Sequence, residues 1–409
     1  MKGVLAVTLG ILTAIGGFVD IGDIVSTSEA GSRFGLAHTW VLLVGIIGIC
    51  VYAEMSGRVT AVSTRPVFDL IRERLGPRVA LVNLLGSYLV TLLTLAAEIG
   101  GVALALQLLS GAPYLLWVPL VAITLWLVLW RVKFQTLERV FGLAGLSLVV
   151  LLVAIFWLHP DGASLRSQAT TFRPPQGENW PTYFFTAIAL FASAMTPYEV
   201  FFFSSGGVEE RWTARELTIS RVNVFLGFPL GGLLAFGFLA TSAIVYQPIG
   251  LNVSTLGQAT LPAGMAFGTV GLGLVILGVF AATFGAAMET SLSAGYTVAQ
   301  YFGWAWGKYL RPRQAARFHV VVMVSILLAI AALLTTIDPI QLTEYMLIFS
   351  AIVLPLTYVP ILVIANDRGY LGEKVNGRLA NALGLVYLVI IVVAAVAAVP
   401  IMIFTGMGG

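Results

Sequence analysis

Val19-Asp20-Ile21-Gly22-Asp23 places two carboxylates inside an apolar run near the start of the chain, and Met195-Thr196-Pro197-Tyr198-Glu199 places a third inside another run about halfway along. An ionised carboxylate in hydrocarbon is expensive, so acids at such positions face a cavity or a bound cation and mark function. Each stretch also carries a residue that breaks helices, Gly22 in the first and Pro197 in the second. Two apolar helices, each interrupted at its acids, are the pattern from which the fold follows.

The rest of the chain supports a membrane setting for both. Of 409 residues, 59% are hydrophobic and 10% charged, where a soluble domain carries roughly 25% charged residues. Apolar runs of about 17 to 30 residues recur along the whole length, each long enough to cross a hydrocarbon layer of roughly 30 Å. The expectation is an all-α polytopic membrane protein. The net charge of +3 comes from Lys and Arg scattered among short loops, with no basic stripe for nucleic acid. A single cysteine, Cys50, allows neither a disulfide framework nor a thiolate metal site within the chain. The first apolar run, without an evident small-residue cleavage site, reads as a retained helix and not as a signal peptide.

Eleven spans are expected, near 4–34, 37–56, 79–109, 114–130, 140–158, 181–206, 219–246, 266–302, 316–336, 341–364 and 379–404. With the N-terminus cytoplasmic, 19 of the 22 Lys and Arg residues fall in inside loops, leaving Arg33, Arg166 and Arg173 outside. That asymmetry sets the orientation at a cell membrane and puts the C-terminus on the extracytoplasmic side. The spans divide into a first repeat (1–158), a second repeat (181–364) and an appended helix (379–404), together one transmembrane transporter domain over 1–409. Five is odd, so the second repeat starts from the opposite side of the membrane, and the interrupted helices become the first of each inverted half. Matched broken helices point to an inverted-repeat transporter with its site at the midplane. Loop 59–78 carries FDLIRERLG, a short amphipathic helix at the inner surface, whereas 159–180 is too short and too rich in Pro, Ser and Gln for a domain. No GxxxxGK[ST] motif occurs, so ATP hydrolysis within this chain is not expected.

The site itself reads as a set of oxygen donors. Gly22 lets the backbone leave helical geometry beside Asp20 and Asp23, and Pro197 has no N–H to give the carbonyl of Ser193. Carboxylates from Asp20, Asp23 and Glu199, the Thr196 hydroxyl and freed main-chain oxygens around Ser193 make a set suited to a hard divalent ion such as Mg²⁺ or Ca²⁺. A blander account makes Asp20 and Asp23 a helix cap at the membrane edge, Pro197 a plain kink and Glu199 half of a structural pair. The joint occurrence of all three acids at helix breaks weighs against it.

Here the chain resembles the Nramp (natural resistance-associated macrophage protein) family of divalent-metal transporters. Against the family's DPGN in the first span, Asp20-Ile21-Gly22-Asp23 keeps the Asp and Gly; against MPHN in the sixth, Thr196-Pro197-Tyr198-Glu199 keeps the Pro. SGRVTAVSTRPVFDLIRERLG at 56–76, AAEIGGVALALQLL at 96–109 and TLERVFG at 136–142 agree with the family in order and spacing. The resemblance implies a LeuT-like fold of five plus five helices with a broken first and sixth, plus one extra helix. It also implies a divalent metal ion as substrate, carried by alternating access within a lipid bilayer, and no enzymatic activity or cofactor.

The departures bear on which ion. The family's sixth span offers a Met thioether that favours Mn²⁺, Fe²⁺ and Cd²⁺, and here Thr196 offers a hydroxyl instead. Two family asparagines become Asp23 and Glu199, adding charge that suits Mg²⁺, which dehydrates reluctantly and is held through retained waters. This pattern is similar to the Nramp-related magnesium transporters. Proton-coupled members carry TDLAEVIG in the third span and a His one turn after MPHN; this chain reads TLAAEIG, keeping Glu98 but with Leu95 for the Asp, and has Phe203 for the His. Neither accepts a proton, so the expectation is Mg²⁺ uptake driven by the membrane potential, with Mn²⁺ as a lesser substrate.

Three alternatives stand beside this. One is a proton-coupled Mn²⁺ or Fe²⁺ transporter of the parent type. Another is an amino-acid permease of the same fold, whose carboxylate substrate three acids would repel. The third, an intramembrane hydrolase, lacks HExxH or a similar motif. Glu54, Glu289 and Glu344 either line the path or pair with loop arginines, and His38, His159 and His319 fall near span ends without a metal role.

Overall fold

A computed structural model describes residues 19–132, 134–335 and 337–406. Every regular element among the described residues is helical. The first half holds α1 (Ile21–Phe34), α2 (Thr39–Ser63), α3 (Val67–Leu75), α4 (Pro77–Ser110), α5 (Tyr114–Arg131), α6 (Phe134–Gly145), α7 (Val149–Trp157) and α8 (Gly162–Ala169). The second half holds α9 (Trp180–Ser193), α10 (Pro197–Glu209), α11 (Leu217–Val222), α12 (Phe228–Val245), α13 (Leu256–Phe302), α14 (Ala316–Leu334) and α15 (Pro339–Ala365). Short α16 (Arg368–Leu371) leads into the appended α17 (Arg378–Thr405).

Ten stretches of the described residues are long and apolar enough to cross a membrane, the first of which, Ile21–Ser63, comprises both α1 and α2. Separated at the 3₁₀ turn Gly35–His38, α1 and α2 bring the number to the eleven expected, with α1 as the described half of the first span. Positions 4–18 of that span, and Lys2, lie outside the described residues. The expected span at 266–302 is the larger part of α13, which begins earlier, at Leu256. Its two segments meet at Phe267 and Gly268, where Gly268 takes φ 62°, a left-handed value open to glycine.

Contacts at the helix ends fix the directions. At one end Arg33 pairs with Glu178 at 3.0 Å, the Leu36 amide donates to Gln168 at 3.2 Å, and the Val253 amide donates to Ser32 at 3.0 Å. The turn after α1, the 159–180 segment and the turn before α13 therefore share that end. At the other, Arg74 pairs with Asp367 at 2.5 Å, Arg58 donates to the Lys374 carbonyl at 2.8 Å, and Arg221 pairs with Glu54 at 2.9 Å. Arg58, Arg74 and Arg221, all assigned to inside loops, share this end. Because the end of α1 meets the start of α9 while Asp23 near the start of α1 meets Ser193 at the end of α9, the two helices run antiparallel. That is the relation inverted halves require.

α3 forms where the amphipathic helix is expected. Val67, Phe68, Leu70 and Ile71 are buried, while Glu73 and Arg74 are exposed. The Val67 amide donates to Ser204 at 2.9 Å, tying α3 to α10. The 159–180 segment is more than a linker: it contains α8 and clamps the end of α1 through Gln168 and Glu178. Inside the bundle α4 packs on α13, α14, α15 and α5, while α1 packs on α12 and α9.

Candidate metal site

The first described residues, Val19 and Asp20, are non-helical and α1 begins at Ile21, so the non-helical stretch ends before Gly22, where the sequence places it. Asp20 is extended (φ −104°, ψ −178°) and caps α1, its carboxylate accepting from the Asp23 amide at 2.9 Å. Gly22 is therefore helical, in the first turn, and its role is space. A Cβ there would stand 2.9 Å from Asp20 Oδ1 and 3.2 Å from both Leu347 and Met346 of α15. The break in the sixth span lies at Ala194–Thr196, where α9 ends and Thr196 becomes the N-cap of α10, with Pro197 in the first position.

These two breaks meet. The Ser193 hydroxyl donates to Asp23 Oδ1, and the Tyr198 hydroxyl donates to Asp20 Oδ2 at 3.4 Å. Asp20, Asp23, Ser193, Thr196 and Glu199 are all buried, at no more than 5% exposure, so the site lies deep in the bundle and not at a surface. Glu199 sits in the first turn of α10 and Asp23 in that of α1, where exposed amides favour negative charge.

Sequence reasoning leaves Glu98 without a role, and the structure supplies one. From α4 its Oε1 accepts the Ile21 amide at 3.0 Å, so carboxylates from two different helices cap successive parts of the first turn of α1. TLAAEIG is the available signal, but a partner 77 positions away is not legible from it. Glu289 joins from α13: Ser293, one turn further along, donates to the Tyr198 carbonyl at 3.0 Å, and Glu289 lies within electrostatic range of Glu98 and Glu199. Glu54, in contrast, pairs with Arg58 at 3.1 Å and with Arg221, away from the site. His38 is buried, its ring stacked on Tyr183 and bonded to the Tyr183 carbonyl at 3.0 Å.

Among the described residues, four oxygens at the site lack a well-formed hydrogen bond: Asp23 Oδ2, Glu98 Oε2, Thr196 Oγ1 and Glu199 Oε2, with the Thr196 hydroxyl beside Glu199. Each is buried, and an unpartnered buried acceptor costs about 1–3 kcal/mol, more for a charged group. Water, protons or cations can satisfy such a set. Among the described residues no three Asp, Glu, His or Cys side chains stand close enough to hold a metal ion by themselves. The spacing leaves any cation to be shared with hydroxyls, main-chain oxygens and water.

Comparison with known proteins adds an independent line. The family described as natural resistance-associated macrophage protein-like matches residues 10–400. A relative from Deinococcus radiodurans, named divalent metal cation transporter MntH, is 27% identical over 390 residues, covering 92% of this chain and 85% of its own. A second of the same name, from Ralstonia nicotianae, is 28% identical over 412 residues, covering 94% and 88%. Among solved structures, a manganese transporter of Eremococcus coleocola superposes with a TM-score of 0.74 at 18% identity, over 97% of this chain and 87% of its own. MhsT in complex with L-phenylalanine superposes with a TM-score of 0.63 at 18% identity, over 97% of both. At such identities the two structures establish the fold, and it is one that serves more than one kind of substrate.

Proposed function

Since the chain belongs to the Nramp family, we propose that it carries divalent metal ions across the membrane, Mg²⁺ foremost, through the site where the starts of α1 and α10 meet. The observation that carries this reading is the chemistry of the unpartnered atoms. Asp23, Glu199, Glu98 and Thr196 present only oxygen, three of the four from carboxylates, and hard oxygen donors suit hard cations. No thioether is among them; Thr196 occupies the position where family members use methionine.

With no group of three Asp, Glu, His or Cys side chains closing on one point among the described residues, the ion would keep part of its water shell, as Mg²⁺ does. The carboxylates then act on the hydrated ion through charge and through hydrogen bonds to its waters. Alternating access would turn on Asp20 and Thr196, the extended residues that stand immediately before α1 and α10.

Transport without a proton is part of the same proposal. Leu95 is fully buried among apolar side chains, and the Phe203 ring packs edge-on against Trp212 at 5.0 Å. Neither offers a proton acceptor at the two places where coupled members have one. Two charges moved down the membrane potential supply about 2.3 kcal/mol each per 100 mV, enough to drive accumulation.

The names of the relatives favour a second reading, a transporter of Mn²⁺. Purified protein in liposomes separates the two when Mg²⁺, Mn²⁺ and Ca²⁺ uptake are measured side by side with a pH dye inside. The proposal expects Mg²⁺ entry without acidification beyond a leak control. Mn²⁺ entry with acidification, and none of Mg²⁺, would establish the other reading.

A further inference from the structure

The break in the sixth span has no side-chain cap: Thr196, although it is the N-cap of α10, accepts no backbone amide on its hydroxyl. In the first span, by contrast, Asp20 and Glu98 hold the Asp23 and Ile21 amides. Packing from behind takes the place of a cap. α2 turns glycines toward the break: a Cβ at Gly45 would stand 2.6 Å from the Ala194 Cβ, and one at Gly48 would stand 2.5 Å from the Met195 sulfur. The same point beside Gly48 is 2.8 Å from Cε1 of Tyr387, which arrives from the appended helix α17. Tyr387 is buried, and its hydroxyl donates to the Val44 carbonyl of α2 at 2.9 Å. Met195 is buried too, its sulfur turned to α2 and α17 while the Thr196 hydroxyl lies beside Glu199.

Protein interiors are close-packed, so a side chain wedged between α2, α17 and the end of α9 passes a displacement on instead of absorbing it. Thr196 follows Met195 directly, and a site works only when its donors are held within about 0.5 Å of place. We propose that Tyr387 and Gly48 are positioning residues for ion binding: together they seat Met195 and, through it, place Thr196 and Glu199. The inference rests on the reading of these last two as ion ligands, and it gives the appended helix a part in a site built from the two repeats. A thioether suits the seat because it is flexible enough to fill the irregular space between a glycine and a ring.

Kinetics of divalent-ion uptake into liposomes test this, with the melting of each variant measured beside them. Tyr387→Ala should raise the KM roughly tenfold with kcat held within about twofold, whereas Tyr387→Phe, which keeps the ring, should stay within about twofold of wild type in both. Gly48→Ala drives a methyl into the sulfur and should raise the KM roughly fivefold; adding Met195→Ala, which removes that sulfur, should reverse most of the rise. An unchanged KM in Tyr387→Ala overturns the proposal, as does a Tyr387→Phe variant no better than Tyr387→Ala. So does a Gly48→Ala defect that Met195→Ala leaves in place, and this pair decides the matter alone if Tyr387→Ala does not fold. A wild type that carries Mn²⁺ and not Mg²⁺ overturns the function proposed above, while the same KM comparison, made with Mn²⁺, still decides this inference.

Discussion

Ser193 donates its hydroxyl to Asp23 across 170 residues of sequence, joining the last residue of α9 to the first turn of α1. This bond makes one site of α1 and α9, and it fixes one Asp23 oxygen while the other has no partner among the described residues. A hydrogen bond to a charged group is worth about 1.5–3 kcal/mol. Ser193→Ala is therefore expected to raise the KM for Mg²⁺ roughly tenfold or more in liposome uptake, with the protein still folded. An unchanged KM would mean that the bond does not position Asp23 for the ion.

Thr196 is the proposed determinant of ion preference, since its hydroxyl is buried at the head of α10 beside Glu199. Thr196→Met exchanges a hard donor for a thioether. Uptake measured in mixtures of Mg²⁺ with Mn²⁺ or Cd²⁺ should shift toward the softer ions by roughly tenfold, about 1.4 kcal/mol. A preference that does not move would take Thr196 out of the selection step.

Glu98 separates a structural from an electrostatic role. Glu98→Gln keeps an oxygen for the Ile21 amide, whereas Glu98→Leu leaves that buried N–H unpaired at a cost of about 1–3 kcal/mol. Thermal melting should be close to wild type for the first and clearly lower for the second. If both melt alike, the bond does not hold the start of α1.

Much of this fold is legible in the sequence because hydrocarbon imposes lengths on apolar runs, and because a charged group inside such a run, next to Gly22 or Pro197, is too costly to keep without a binding role. The site is legible in its residues but less so in its geometry. The motif suggests that the backbone leaves the helix at Gly22, yet Asp20 caps α1 two positions earlier and Gly22 makes room for α15. Glu98, Tyr198 and Glu289 meet the site through tertiary contacts, which no local pattern encodes. Likewise, the helical piece before Gly268 and the clamp of Gln168 on Leu36 depend on partners remote in sequence.

Outside the membrane-spanning helices, acid should loosen one tie. The Arg74 hydrogen bond holds the Asp367 carboxyl below its ordinary value, as that of Arg65 does for Glu73. A depressed folded-state pKa gives stability that is complete above the unfolded value, about 4, and lost as pH falls through the lower folded one. Wild type should thus melt above Arg74→Gln at neutral pH, and the gap should close below about pH 4. A gap that persists into stronger acid would show that Arg74 acts through packing.

The most direct test bears on whether the carboxylates at the two breaks carry the ion. Asp20→Asn preserves the oxygen that accepts the Asp23 amide and so keeps the cap of α1 while removing the charge. Glu199→Gln keeps the side chain's length and one oxygen in the first turn of α10 while removing the charge. Mg²⁺ uptake into liposomes by each variant, matched to wild type in melting and in protein content, should fall below about one tenth of wild type, a loss beyond roughly 1.4 kcal/mol. Undiminished Mg²⁺ flux through well-folded Asp20→Asn and Glu199→Gln would contradict the account.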